Sequence, residues 1–162
     1  MRSDDCRFCA CFNLRRAARS LTRLYDQALR GQNIRVTQFS VLAVLASMGE
    51  QSICSLADIL AADRTTLTRN LGVLEKNGLV TTATGPDRRT RKVGLTRAGR
   101  EKLAAALPLW NEAQQRVVES LGPERFASLH TLLDELSRLD KTAAGCGSAI
   151  SGRAVPQQEN SR

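Results

Sequence analysis

Two short helical stretches separated by a tight turn, Ser55 to Ala61 and Asp63 to Gly78, constrain this chain more than any other feature. Ser55-Leu56-Ala57-Asp58 has the form of a capping box, in which the serine hydroxyl takes an orphan amide and Asp58 favours the positive end of the helix. Asp63 reads as the N-cap of the next helix, with Leu67, Leu71 and Leu74 on its inward face and Gly78 as its stop. Two short helices on a tight turn make a helix-turn-helix. The run Val80 to Thr84, rich in β-branched residues, then reads as a strand. Gly85-Pro86-Asp87 turns the chain, and Arg91 to Leu95 returns as a second strand.

On either side the periodicity is helical. Leu14, Ala17, Ala18, Leu21, Leu24, Tyr25 and Ala28 recur at helical spacing between Cys9 and Arg30, with Arg15, Arg16, Arg19 and Arg23 on the wet face and Gly31 as the expected C-cap. Thr37 is the expected cap of a second, more apolar helix that closes at Gly49. Thr96 opens a long helix carrying Leu103, Leu107, Trp110, Ala113, Val117 and Leu121 in near-heptad spacing, with Pro108 placed to kink it. Gly122-Pro123 breaks the chain before a last helix with Phe126, Leu129, Leu132, Leu133, Leu136 and Leu139. Aromatic residues are only 4% of the chain, so its core must rest on Leu, Val and Ala, which favours helices. Residues 143–162 lose the apolar spacing and read as a disordered tail, and 1–8 as a flexible N-terminus. The long helices carry more apolar face than a lone helix pair in a chain of 162 residues needs; a homodimer accounts for it better than a monomeric bundle core does.

The charge is localised. From Asp63 to Lys102 ten Lys/Arg stand against four Asp/Glu, whereas from Leu103 to Thr142 four stand against six. A basic middle marks the footprint of a polyanionic partner. A recognition helix in the major groove uses its N-terminal residues. Here these are Arg64, Thr65, Thr66, Thr68 and Arg69: hydroxyls for phosphates or base edges, a threonine methyl for thymine, arginine for guanine. Threonines are a poor choice for an ordinary surface helix. Arg88, Arg89 and Arg91 crowd the hairpin tip, where a narrow minor groove attracts arginine, and Asp87 is expected to pair with a neighbouring arginine and hold the tip's shape. Double-stranded DNA is the implied partner.

Asp87-Arg88-Arg89 followed by Val93-Gly94-Leu95-Thr96-Arg97-Ala98-Gly99 resembles the wing signature of MarR-family transcriptional regulators, Asp-x-Arg and then Leu-Thr-x-x-Gly. Asp63 to Thr68, with Leu74-Glu75-Lys76-Asn77-Gly78-Leu79-Val80, resembles that family's recognition helix and its exit. The resemblance spans about Cys11 to Thr142. It implies a mainly α fold with a small β-hairpin wing: a winged helix-turn-helix over 35–96 and a helical dimerisation lobe from 9–31 and 97–142, all within a MarR-like domain over 9–142. It further implies a homodimeric DNA-binding repressor, with Arg89 as the minor-groove arginine and a palindromic operator.

The switch admits several readings. Cys11-Phe12-Asn13-Leu14 followed by Tyr25 is similar to the organic-hydroperoxide-sensing branch of the family, where a cysteine at the start of the first helix is steadied by a tyrosine fourteen residues on. Fourteen residues span nearly four turns, so such a contact would form across a dimer. Val36 stands where that branch has a second tyrosine, and Phe39 replaces another aromatic. Cys146, in the tail, is a candidate resolving thiol. Arg7, Arg15, Arg16 and Arg19 give the N-terminal cysteines the electropositive setting that reactive thiols occupy. Packing is the plainer role for cysteine, and Cys54, beside Ile53 and Leu56, is assigned to it. Cys6, Cys9 and Cys11 offer three soft metal ligands, but structural zinc takes four and no histidine lies nearby, so no metal or cofactor is expected. The other input is a small aromatic or amphipathic effector in a cleft between lobe and winged domain, lined by Phe12, Phe39 and Trp110.

Enzymatic activity is not expected: the lone His130 has no nucleophile partner, and no phosphate-cradling glycine loop is present. No apolar run reaches the ~18 residues of a membrane span, and no apolar segment follows the basic N-terminus, so the expectation is a cytoplasmic protein without a membrane partner.

Overall fold

Leu29, Leu42, Leu56 and Leu74 come from four separate segments and are all fully shut off from solvent. The core they share explains the arrangement of the elements around it. The structure, a computed structural model, describes residues 6–84 and 91–139. Its elements run α1 (Ala10–Ala28), α2 (Val36–Met48), β1 (Gln51–Ser52), α3 (Ile53–Ile59), α4 (Arg64–Lys76), β2 (Val80–Thr84), β3 (Arg91–Leu95), α5 (Arg97–Leu121) and α6 (Pro123–Arg138). The chain divides into two compact units, Met1–Ser120 and Leu121–Arg162. This is the mainly α winged helix-turn-helix architecture that the sequence implies.

Local chemistry sets the helix ends. α1 does not stop at Gly31; it tightens into a 3-10 turn, Leu29–Gln32, and Asn33 takes the left-handed conformation with φ 54°, which asparagine tolerates better than most residues. Arg35, not Thr37, occupies the N-cap position of α2. There the Asp26 Oδ1 accepts from the Val36 N–H at 2.8 Å and the Gln38 Oε1 from the Arg35 N–H at 2.9 Å. α3 also starts earlier than its Ser-Leu-Ala-Asp motif implies: Ser52 Oγ accepts from the Ser55 N–H at 3.0 Å, and the Ser55 hydroxyl donates to Gln51 instead. α3 and α4 end alike. The Ala62 N–H reaches the Ala57 carbonyl and the Leu79 N–H the Leu74 carbonyl, both at 2.9 Å, with Ala61 (φ 46°) and Gly78 (φ 69°) at the left-handed position of a Schellman turn.

The three strands form one antiparallel sheet in the order β1-β3-β2. β2 and β3 pair from Val80↔Leu95 to Thr84↔Arg91. The two residues of β1 add Gln51↔Val93 and Ser52↔Lys92 on the other edge. Val93, on the central strand, is fully buried and joins the core, which also takes Ala106 from α5.

A close approach joins recognition helix, sheet and α5. The Thr96 hydroxyl accepts from the Gly99 N–H at 2.9 Å and donates towards the Gly78 and Leu79 carbonyls at 2.7 and 3.0 Å, while its own N–H reaches the Leu79 carbonyl at 3.2 Å. Gly99 lies so near this point that a Cβ there would sit 2.1 Å from the Leu79 carbonyl oxygen. The Thr-x-x-Gly spacing is therefore a packing requirement: a hydroxyl to cap α5 and a residue without a side chain one turn on.

Along α5, Ala106, Ala113 and Val117 are buried, but Leu107 and Leu121, expected to face inward, are exposed. Neither α1 nor α6 buries a single residue. α6 leaves Leu132, Leu133, Leu136 and Leu139 exposed. Among the described residues no helix is long and apolar enough to cross a membrane.

Gly99→Ala is expected to lower unfolding stability by about 1–3 kcal/mol, the usual cost of overpacking. Denaturant titration reads it, and an unchanged midpoint would contradict the close approach.

Candidate nucleic-acid interface

α4 has a buried face and an exposed one, and they follow from helical spacing. Leu67, Leu71 and Leu74 pack into the core, while Arg64, Thr65, Thr66, Thr68 and Arg69 are all exposed around the first turn and a half. Asp63 starts the helix: its Oδ1 accepts from the Thr66 N–H at 3.0 Å. That amide hydrogen bond holds the Asp63 carboxyl below its ordinary pKa. The Thr68 hydroxyl donates to the Arg64 carbonyl at 2.7 Å, so its oxygen lone pairs and methyl group remain for a partner. Arg69 has no side-chain partner among the described residues. The sequence reading of this helix and the geometry coincide.

Cys54 corrects the sequence reading. It is exposed rather than packed, and the Arg64 Nη2 donates to its sulfur at 3.2 Å. α3 thereby steadies the first arginine of α4 across the turn. No sequence pattern carries this contact, because it joins residues ten apart on two helices whose crossing the sequence does not give.

On the wing, Arg91 is exposed at the start of β3, opposite Thr84. Asp87, Arg88 and Arg89 lie outside the described residues, as does Cys146.

Away from α4, Cys9 and Cys11 are exposed free thiols at the start of α1. The Asn13 side-chain amide donates to the Arg7 and Cys9 carbonyls at 2.7 and 3.0 Å, tying the approach segment to the helix. Tyr25 lies fourteen residues on, along the same helix, some 21 Å away at the α-helical rise. Its hydroxyl donates to Gln114 on α5, and partial burial raises its pKa. Trp110 is sandwiched between Tyr25 and Phe39, with ring centroids 6.1 and 5.6 Å apart and interplanar angles of 22° and 11°. Phe12, grouped with Phe39 and Trp110 by the sequence reading, is exposed and makes no ring contact among the described residues. His130 is exposed and meets only Phe126 edge-on, at 4.7 Å.

The chain matches the MarR family profile over residues 34–89. It is similar to the M. tuberculosis transcriptional regulator MosR, solved in complex with DNA, at 39% identity and a TM-score of 0.74, covering 83% of this chain and 98% of that one. BpsR of Bordetella bronchiseptica, whose DNA binding is regulated by 6-hydroxynicotinic acid, is similar at 26% identity and a TM-score of 0.72, covering 79% and 92%. Wild-type MarR of E. coli is similar at 25% identity and a TM-score of 0.65, covering 78% and 96%. Among curated proteins no significant match was found.

The Asp63 cap gives a pH-dependent expectation. A carboxyl whose native pKa is lowered contributes fully above its unfolded value of ~3.9 and loses that contribution as pH falls through the native value. The melting-temperature gap between wild type and Asp63→Ala is expected to be present at neutral pH and to narrow on acidification below about pH 4. Asp63→Asn, which keeps an N-cap acceptor, should stay near wild type at neutral pH. A gap independent of pH would contradict the assignment.

Proposed function

The chain belongs to the MarR family of transcriptional regulators, and from that premise we propose that it is a homodimeric DNA-binding repressor of a palindromic operator, released by thiol oxidation at Cys11. The observation that carries the DNA-binding part is the start of α4, where five exposed polar side chains crown a helix whose other face is buried. Arg64 and Arg69 suit guanine edges and phosphates, Thr65, Thr66 and Thr68 suit phosphates and thymine methyls, and Arg88, Arg89 and Arg91 enter the flanking minor groove. MosR, solved with DNA, is similar across nearly its whole length. Dimerisation is supported by the unburied apolar residues of α1 and α6, notably Leu14, Leu21, Leu132 and Leu136. A two-fold dimer reads a two-fold site.

For the switch, the exposed Cys11 in the first turn of α1 sits beside arginines and the positive end of a helix. A hydroperoxide would transfer its terminal oxygen to the Cys11 sulfur and leave as the alcohol. Condensation of the resulting sulfenic acid with a second thiol, for which Cys146 is the candidate, forms a disulfide and releases water. Tyr25 would act from the partner subunit. The aromatic cleft is the weaker route, because Phe39, Trp110 and Tyr25 already stack on one another.

Operator titration at fixed salt tests the reading head: Arg69→Ala and Arg89→Ala are each expected to cost about 1–3 kcal/mol, and unchanged affinity for both would overturn the assignment. For the switch, organic hydroperoxide is expected to weaken operator binding by wild type and to leave Cys11→Ser unaffected. An equal response from the two proteins would remove Cys11 from the mechanism.

A further inference from the structure

One cavity remains outside the reading head, the thiols and the aromatic stack. It lies where the end of α1, the turn before α2 and the last turn of α4 meet, and its volume is about 660 Å³, within the ~300–1,000 Å³ of small-molecule sites. Three guanidinium groups, those of Arg23, Arg30 and Arg35, line it against a single carboxylate, Asp26. Asp26 is already committed, with one oxygen on the Val36 N–H at 2.8 Å and the other 3.5 Å from Arg35. Neither Arg23 nor Arg30 has a carboxylate partner among the described residues. Three arginines converging on one hollow repel one another, a cost that an anion between them would relieve. The rest of the wall supplies amide groups from Asn33 and Asn77 and apolar contact from Val73.

We infer that this cavity binds a small oxyanion, a carboxylate or phosphate group gripped by Arg23, Arg30 and Arg35, and that its occupancy weakens operator binding. The inference rests on the proposed DNA-reading role of α4. Guanidinium forks match carboxylate and phosphate oxygens in bidentate pairs, which lysine does not. The link to DNA is direct: Val73 and Asn77 belong to the last turn and C-cap of the helix whose first turn carries Arg64 and Arg69. A bound anion neutralises part of the positive field that draws the phosphate backbone and adds a contact at the far end of the same helix. Linkage then requires the operator to weaken anion binding by the same factor.

Calorimetric titration of the full-length protein with benzoate, citrate and inorganic phosphate, against chloride at matched ionic strength, tests the site. At least one probe is expected to bind saturably, once per chain. Affinity is expected to fall about tenfold or more in Arg23→Gln/Arg30→Gln, whose side chains are exposed and hold no core contact, and to recover partly in Arg23→Lys/Arg30→Lys. Saturation by phosphate alone assigns a phosphoryl ligand, and saturation by a carboxylate assigns an organic acid. The saturating probe is also expected to weaken operator binding by wild type and not by the Gln variant, with Cys11→Ser behaving as wild type. The inference is overturned if no probe saturates, if the Gln variant binds as well as wild type, or if saturation leaves operator affinity unchanged. Operator binding by the Gln variant without added anion keeps a failure here separate from a failure of the reading head.

Discussion

The joint between Thr96, Gly99 and the Leu79 carbonyl is the contact on which the rest of the structure depends. It brings the exit of the recognition helix, the central strand of the sheet and the first turn of α5 to one point, with no room for a side chain at residue 99. α4 therefore does not sit on the sheet as a separate element. Its C-terminal Schellman turn is hydrogen-bonded into the start of α5, and α5 supplies Ala106 to the same core that holds Leu67, Leu71 and Leu74. A rotation of α5 that broke none of these contacts would carry α4 with it. This gives a physical route from an event on the helical scaffold to the reading face, without a flexible linker between them.

The same joint explains which parts were legible in the sequence. The α4 cap at Asp63, its inward leucines, its stop at Gly78 and the β2–β3 register are set by neighbours a few residues apart, and local pattern reads such features well. The misreadings have non-local causes. The start of α2 depends on Asp26, a turn of chain earlier, so Thr37 looked like the cap. The start of α3 is fixed by Ser52, which also lies in β1, a strand too short to leave any alternation. Cys54 looked apolar from its neighbours, but its side chain turns towards Arg64. Leu107 and Leu121 obey the helical period of α5 and still face solvent, because a periodic stripe shows which face is apolar and not what covers it. Nothing in the pattern announces the arginine-lined cavity, which is assembled from three elements.

Charge and shape divide the work at the interface. The basic stretch from Asp63 to Lys102 supplies attraction to any duplex, and it does so with little regard to sequence. Selectivity must come from the few side chains that reach base edges, and on α4 these are anchored at both ends: Arg64 by Cys54 and the helix start by Asp63. Side chains held before the partner arrives lose less freedom on binding. The threonines serve the same end, since a β-branched side chain has few rotamers to lose.

The central claim is that the first turn and a half of α4, presented twice by a dimer, reads a defined sequence. Affinity for DNA from upstream of the chain's own gene, measured beside a scrambled duplex of equal length at one salt concentration and combined with a hydroxyl-radical footprint, tests it most directly. The account expects a preference of about 10³-fold or more for one site, with two protected segments about one helical turn apart on one face of the duplex. Equal affinity for the two duplexes with no footprint would contradict it.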